Sequence, residues 1–194
     1  MKSTLVILMT LVMGLSAPAL AAEKAAFQVC EGTFALCTTA ICTQGQPGDK
    51  DVQCTCTVNT GYSAGQQPCQ APIPTDQGTK IFSRFFPITS YQKCTKTPNA
   101  ASPWAWCLDK ACFIDKTNPT IAQCACGRVE TPVYEEKPSH PYIIVTGQTA
   151  PNLCENTTNY SSATVHDLTH ITDAFNDYLK THNAFPLIQP VELK

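Results

Sequence analysis

Charged residues and long apolar runs are both scarce in this sequence. Aspartate, glutamate, lysine and arginine together make up 14 % of the 194 residues, and the formal net charge is −2. No basic stripe accompanies this near-neutral balance, which argues against nucleic acid and anionic membrane surfaces as partners. Beyond the N-terminal region, no stretch is long and apolar enough to span a bilayer.

Motifs of common catalytic and cofactor sites are also missing. The sequence has no G-x-S-x-G nucleophile elbow, no phosphate-cradling glycine loop and no EF-hand loop. We therefore expect no catalytic residue and no bound cofactor. A binding or structural role becomes the main interpretation.

The N-terminus has the three parts of a secretory signal peptide. A lysine near the start precedes an apolar run that ends at Leu15, and Ala19-Leu-Ala21 supplies the small residues of a cleavage site. An uncleaved anchor would need about 20 continuous apolar residues, and glycine, serine and proline interrupt the run. We expect cleavage after residue 21, export to the periplasm or the medium, and no transmembrane segment in the mature chain.

The most distinctive residues are the 12 cysteines, which fall into two series of six. Each series contains a frame of the form C-x4-C-x11-C-x-C, preceded by an aromatic residue, an alanine and a large apolar residue. Such regular repetition indicates a tandem duplication of one module. Frame 1 consists of Cys37, Cys42, Cys54 and Cys56, and frame 2 consists of Cys107, Cys112, Cys124 and Cys126. The flanking cysteines are Cys30 and Cys69 for frame 1, and Cys94 and Cys154 for frame 2.

Export and an even cysteine count together predict that all twelve cysteines form disulfides. In residues 52–58, apolar and polar residues alternate, which predicts a half-buried strand with Cys54 and Cys56 on one face. Cysteines two residues apart on a strand have Cα atoms about 6.5 Å apart and parallel side chains, so they are poorly placed to pair. We expect each strand cysteine to reach across to Cys37, Cys42 or a flanking cysteine, with the same topology in frame 2. The choice among these connectivities stays open.

The segment between the frames is too apolar for a free linker. It contains Ile81, Phe82, Phe85 and Phe86. We expect a strand or turn packed between the two modules, and the alternative is an exposed aromatic binding ridge.

The C-terminal segment predicts an amphipathic helix from about residue 162 to residue 182. Ser161 or Ser162 would cap it, with Asp167 in the first turns. Apolar positions recur at steps of three and four, so one face should cover the apolar side of one module. These positions are Val165, Leu168, Thr172, Phe175 and Leu179.

Two groups of residues could hold a metal. The frames could bind zinc or copper as thiolates, although an exported chain favours disulfides. His166, His170 and Asp173 share a helix face that approaches the H-E-x-x-H zinc pattern, with Asp167 in place of the glutamate. The plainer interpretation is the solvated side of the helix, so we expect no metal. A hydrolase built on these histidines is the third hypothesis.

A C-x-C pair could also serve thiol–disulfide exchange, as C-x-x-C pairs do. No thioredoxin-like βαβ pattern surrounds either pair. We therefore do not predict exchange chemistry at Cys54 and Cys56.

Residues 104–126 read WAWCLDKACFIDKTNPTIAQCAC. This block resembles a segment of uncharacterised exported cysteine-rich proteins of Gram-negative bacteria. The resemblance extends more weakly to the frame 1 copy and to the apolar stretch at 81–86. It implies export and duplication, and it transfers no catalytic residue because no activity is attached to that family.

The sequence therefore predicts a mainly β and irregular, disulfide-rich fold, with two tandem duplicated cysteine-framed modules plus one C-terminal amphipathic helix. The expected segments are a signal peptide (1–21), module 1 (22–72), an apolar connector (73–93), module 2 (94–154) and a helix with a tail (155–194). The expected function is that of an exported binding or structural module without catalytic activity. Its expected partner is an unknown protein or small-molecule ligand. The alternative is a periplasmic protein that binds zinc or copper.

Overall fold

The structure is a computed structural model of the chain. It describes residues 26–43, 45–46, 48–87, 92–96, 104–129, 142–146, 161, 163–184 and 187–189. The predicted signal peptide, Cys154 and the side chains of Cys94 and His166 lie outside the described residues.

The described residues are mostly β-sheet, with one helix. The strands are β1 (Gln28–Cys42), β2 (Asp51–Gly65), β3 (Ile73–Thr75), β4 (Gly78–Arg84), β5 (Gln92–Lys96), β6 (Trp104–Trp106), β7 (Ala111–Ile114), β8 (Ile121–Val129), β9 (Tyr142–Thr146) and β10 (Ala163–Thr164), and the helix is α1 (Val165–Thr181). Five disulfides cross-link this part of the chain. The predicted β-rich, disulfide-rich class is confirmed, and the tandem duplication stays a prediction.

Five of the strands form a path that closes on itself. The larger sheet runs β1-β2-β8-β7-β4-β3, and β1 also pairs in parallel with β4. Strand β6 joins β8, and β10, β9 and β5 form a separate three-stranded sheet. Because β2 of frame 1 pairs with β8 of frame 2, strands from both predicted modules share one sheet.

The alternation predicted for β2 is confirmed. Val52, Cys54 and Cys56 are buried, whereas the polar residues that alternate with them are exposed. Strand β8 repeats this pattern with Cys124 and Cys126 buried. Side chains alternate between the faces of a strand, so both strands direct their cysteines to the same interior.

The antiparallel pairing of β2 with β8 has a local two-fold symmetry. The central pairs are Val52–Cys126, Cys54–Cys124 and Cys56–Ala122. Cys54 and Cys124 hold equivalent positions in the two frames and face each other directly. On one side of this pair, the position two residues before Cys54 faces the position two residues after Cys124, and on the other side the reverse holds. The two frames therefore pair through equivalent strand edges.

The interior of the closed path is a core of sulfur atoms and small side chains. All eight frame cysteines belong to one buried cluster, together with alanines, Val52 and Ile81. Cysteine behaves in such a core as a small apolar residue. The described chain therefore builds this core largely from its disulfides.

A second core lies under the helix. Leu168, Ile171 and Phe175 pack against Ala64, at the end of β2, and Leu108, between β6 and β7. The predicted buried face is confirmed at Leu168, Thr172 and Phe175, and the side chain of Val165 lies outside the described residues. The expectation that the helix covers one module is wrong, because it contacts β1 and β2 of predicted module 1 and also β9 of predicted module 2.

The helix begins at a different cap from the one predicted. Thr164 is the N-cap: its hydroxyl accepts a hydrogen bond from the Asp167 N–H at 3.1 Å, and the Asp167 carboxylate accepts one from the Thr164 N–H at 3.3 Å. This reciprocal pair is a capping box. The prediction of Ser161 or Ser162 is wrong, because residues 163–164 pair with β9 and keep the chain extended up to Thr164.

The apolar stretch between the frames forms strand β4, as predicted. Ile81 and Phe85 are buried, and the strand pairs with both β1 and β7. Phe86 is 43 % exposed and packs edge-on against Phe175 of the helix, with 5.4 Å between ring centroids. The alternative of an aromatic ridge is therefore wrong for the two buried residues.

Candidate functional site

The frame disulfides follow one connectivity in both frames. In frame 1 the first cysteine pairs with the fourth and the second with the third, and in frame 2 the same order applies, with sequence separations of 19 and 12 in each. The predicted absence of a Cys54–Cys56 bond is confirmed, as is the crossing of each strand cysteine to the earlier part of its frame. The bonds are Cys37–Cys56, Cys42–Cys54, Cys107–Cys126 and Cys112–Cys124.

These four disulfides form a continuous sulfur cluster, which we call the sulfur core. The Sγ atoms of Cys37 and Cys124, from different frames, lie 3.7 Å apart. Three sets of three sulfur atoms lie within 4.8 Å of one another, and each set combines cysteines of both frames. Every cysteine of the sulfur core is at most 4 % exposed. In the oxidised chain these atoms therefore fill the interior and are closed to water.

The fifth disulfide, Cys30–Cys69, lies outside the sulfur core. It joins β1 to the segment that follows β2, over a sequence separation of 39. Cys30 is 7 % exposed, whereas Cys69 is exposed. The disulfides expected of Cys94 and Cys154, whose partners the sequence leaves open, lie outside the described residues.

A buried ion pair lies beside the Cys30–Cys69 disulfide. The Arg84 Nη1 and the Asp109 Oδ1 are 3.4 Å apart, and the two side chains are 7 % and 9 % exposed. The same carboxylate accepts hydrogen bonds from the N–H groups of Gln66 and Gln67, at 2.6 and 3.1 Å. These contacts hold the segment after β2 against the loop between β6 and β7.

The guanidinium of Arg84 has further acceptors. Its Nη1 donates to the Gln67 carbonyl at 3.1 Å, and its Nη2 donates to the Gln28 carbonyl at 3.0 Å and to the Cys30 Sγ at 2.9 Å. A cation in contact with one sulfur favours negative charge on that sulfur. Sequence reasoning missed this group, although an arginine within the apolar stretch at 81–86 was a signal for a buried charge that needs a partner.

Burial raises the pKa of the Asp109 carboxyl above its ordinary value, although the Gln66 N–H, Arg84 and the Gln67 N–H act in the opposite direction. Burial also lowers the pKa of the Arg84 guanidinium, and Asp109 partly offsets that change. In the folded state, Asp109 therefore holds its proton more tightly than it does in the unfolded chain.

We expect this difference to make stability decrease as the pH rises through the ordinary and then the raised pKa of Asp109. The measurement is the free energy of unfolding against pH for the wild type and Asp109→Asn. Asp115 contributes with the opposite sign, since hydrogen bonds from Thr117 lower its pKa, but it does so in both proteins. The difference between the curves isolates Asp109, and a wild type that gains stability over the variant with rising pH would contradict the expectation.

Aromatic side chains join the end of the helix to β2. The rings of Tyr62 and Tyr178 have centroids 5.4 Å apart, and Tyr178 stacks on His182 at 4.0 Å. Hydrogen bonding to Tyr62 is the largest cause of a raised pKa at Tyr178. The group fixes the C-terminal turn of α1 on the sheet and engages His182 in a stacking contact.

The predicted helix histidine group is described only in part. His170 and Asp173 are exposed, and the side chain of His166 lies outside the described residues. Asp167, which stands where a catalytic glutamate would, is 2 % exposed and serves the capping box. The sets of three neighbouring ligand atoms found in the described part of the chain contain cysteines alone.

Comparisons with protein-family models, with curated proteins and with solved structures gave no match. The described part of the chain has no helix with the length and apolar character needed to cross a membrane. The disulfides, the buried ion pair and the surface of the chain are therefore the features that bear on its function.

Proposed function

We propose that the protein is an exported, disulfide-stabilised binding or structural module without catalytic activity. The observation that carries the proposal is the sulfur core, because the side chains that distinguish this sequence fill its interior as cross-links. Disulfides of this density are typical of proteins that fold outside the reducing cytosol. The location is the periplasm or the medium, after removal of residues 1–21.

The proposal includes a tandem duplication of the cysteine-framed module. Three observations support it: the equal spacing of the frames, the equal connectivity of their disulfides and the two-fold register between β2 and β8. The features that recur in both frames are disulfides and strand pairing, which belong to the scaffold. The ion pair of Arg84 and Asp109 is not part of either frame. A repeated scaffold with neutral-polar strands suits the binding of a protein or small molecule more than nucleic acid.

A second candidate function is metal binding by the reduced chain. The sets of three sulfur atoms within 4.8 Å support it, because zinc and copper(I) take thiolate ligands at short range. Metal coordination by these sulfur atoms requires that the disulfides are reduced first, because each sulfur in the sets is bonded to another cysteine. The His166/His170 face is the other place for such a metal.

The intact mass of the mature protein, purified without reductant and measured before and after full reduction, separates the two candidates. Each opened disulfide adds two hydrogen atoms, so full pairing of the cysteines gives a gain of about 12 mass units. We expect this gain together with no stoichiometric zinc or copper by elemental analysis. A gain of about four or less with bound metal would establish the metal candidate instead.

A further inference from the structure

The Cys30–Cys69 disulfide differs from the others in its surroundings. The frame disulfides are enclosed within the closed strand path, and none of their cysteines is more than 4 % exposed. Cys69, by contrast, is exposed, and it lies in the segment that follows β2. Among the five disulfides that the structure describes, this is the one that a thiol in solution can reach.

The two sulfur atoms of this disulfide have unequal neighbours. The Cys30 Sγ receives a hydrogen bond from the Arg84 Nη2 at 2.9 Å, and Arg84 is itself 6 % exposed. The Cys69 Sγ lies 3.9 Å from the carbonyl oxygen of Val29, a neutral group that offers no positive charge. A guanidinium lowers the pKa of an adjacent thiol, and a thiol of lower pKa leaves faster in disulfide exchange. Cys30 is therefore the leaving group and Cys69 is the sulfur under attack.

We propose that Cys30–Cys69 is a thiol-exchange site for low-molecular-weight thiols. The thiolate of the incoming molecule forms a bond to the Cys69 Sγ, the Cys30–Cys69 bond breaks, and its electron pair stays on Cys30 as a thiolate next to Arg84. The product is a mixed disulfide on Cys69. A second small thiol can then attack the mixed disulfide at the sulfur of the first small thiol. Cys69 leaves as a thiolate, and the two small thiols are joined in a disulfide.

This reaction goes beyond the proposed function. It is stoichiometric, so it requires no turnover, and it adds a covalent attachment site to a binding or structural module. It also lies apart from the C-x-C pairs, where exchange was not predicted and where burial blocks access.

The structure lets the site reclose after exchange. Asp109 holds the N–H groups of Gln66 and Gln67, and Arg84 holds the Gln67 carbonyl. These contacts are independent of the disulfide, so they keep the segment after β2 near β1 when the bond is open. The Cys30 thiolate then remains in position to attack the mixed disulfide and expel the small thiol.

The first experiment treats the folded mature protein with reduced glutathione, quenches the exchange with acid, alkylates free thiols and maps the products by peptide mass spectrometry. We expect Cys30 and Cys69 to open before any frame cysteine, with glutathione on Cys69 and the alkyl label on Cys30. Prior opening of a frame disulfide, or glutathione on Cys30, would overturn the proposal.

The second experiment tests Arg84 as the positioning residue for the leaving thiolate. In Arg84→Gln we expect exchange to be roughly tenfold slower, because a hydrogen bond from a charged donor is lost, and in Arg84→Lys we expect part of the rate to return. An unchanged or faster rate in Arg84→Gln, measured where circular dichroism shows a folded chain, would count against the assignment.

A third measurement covers the case in which the Arg84 variants fail to fold. Cys69→Ala leaves Cys30 as a free thiol beside the native arginine, and its pKa follows from the pH dependence of iodoacetamide alkylation. We expect a value below the unperturbed value of about 8.5. A value at or above 8.5 would overturn the role of Arg84, whatever the variants show.

Discussion

Replacing Cys37 and Cys56 together by alanine is expected to lower the free energy of unfolding by about 5 kcal/mol. Loss of a cross-link over a separation of 19 accounts for about 3 kcal/mol through the entropy of the unfolded chain. Removal of two fully buried sulfur atoms leaves a cavity that adds about 2 kcal/mol. Since domains are stable by about 5–15 kcal/mol in total, the variant should lose about a third or more of its stability. Urea unfolding without reductant measures the loss.

The matched control is Cys107→Ala with Cys126→Ala. This disulfide has the same separation of 19 and the same absence of exposure, so its loss should have the same effect within about 1 kcal/mol. A loss below about 2 kcal/mol in either variant would show that the sulfur core is not the main stabilising element.

Asp109→Ala is expected to destabilise the protein by about 3–5 kcal/mol, the usual effect of leaving one member of a buried ion pair without its partner. The Arg84 cation loses its counter-charge, and the N–H groups of Gln66 and Gln67 lose their acceptor. Asp109 also has a φ of 53°, a conformation that alanine disfavours. Guanidinium chloride unfolding gives the difference in free energy.

Two further variants separate these contributions. Asp109→Asn keeps an acceptor for the two N–H groups and tolerates positive φ, so it should cost less than the alanine variant. A double variant of Asp109→Ala with Arg84→Met should cost less than the sum of the single changes, because it removes both buried charges. Simple additivity would indicate that the ion pair contributes nothing to stability.

Local sequence patterns predicted the parts of this fold that depend on near neighbours. The alternation in residues 52–58 predicts Cys54 and Cys56 on one face of a strand, and that geometry disfavours a bond between them. The periodicity of the C-terminal segment likewise predicted helix α1 and most of its buried face. In each case the information lies within a few turns or a few strand residues, which is the range over which side-chain direction follows from the backbone.

Contacts between distant segments were beyond such patterns. Nothing local states that β2 pairs with β8 or that β4 pairs with β7, and the ion pair of Arg84 with Asp109 depends on the second of these pairings. The cap at Thr164 was missed for the same reason, because pairing with β9 decides where the chain leaves the extended conformation. The asymmetry of the Cys30–Cys69 bond also depends on Arg84, which is distant from both cysteines in sequence.

The local two-fold register between β2 and β8 affects how the chain must fold. A strand edge that fits its own equivalent is the basis of an isologous contact, so β2 of one molecule fits β2 of another in the same register. Chains whose thiols are still oxidising therefore face a competing association between molecules. The chain between the two strands acts as a tether, so β8 has a higher effective concentration at β2 than a strand of another molecule has in dilute solution. Folding at low protein concentration should therefore favour the pairing of β2 with β8, and folding at high concentration should favour association between molecules.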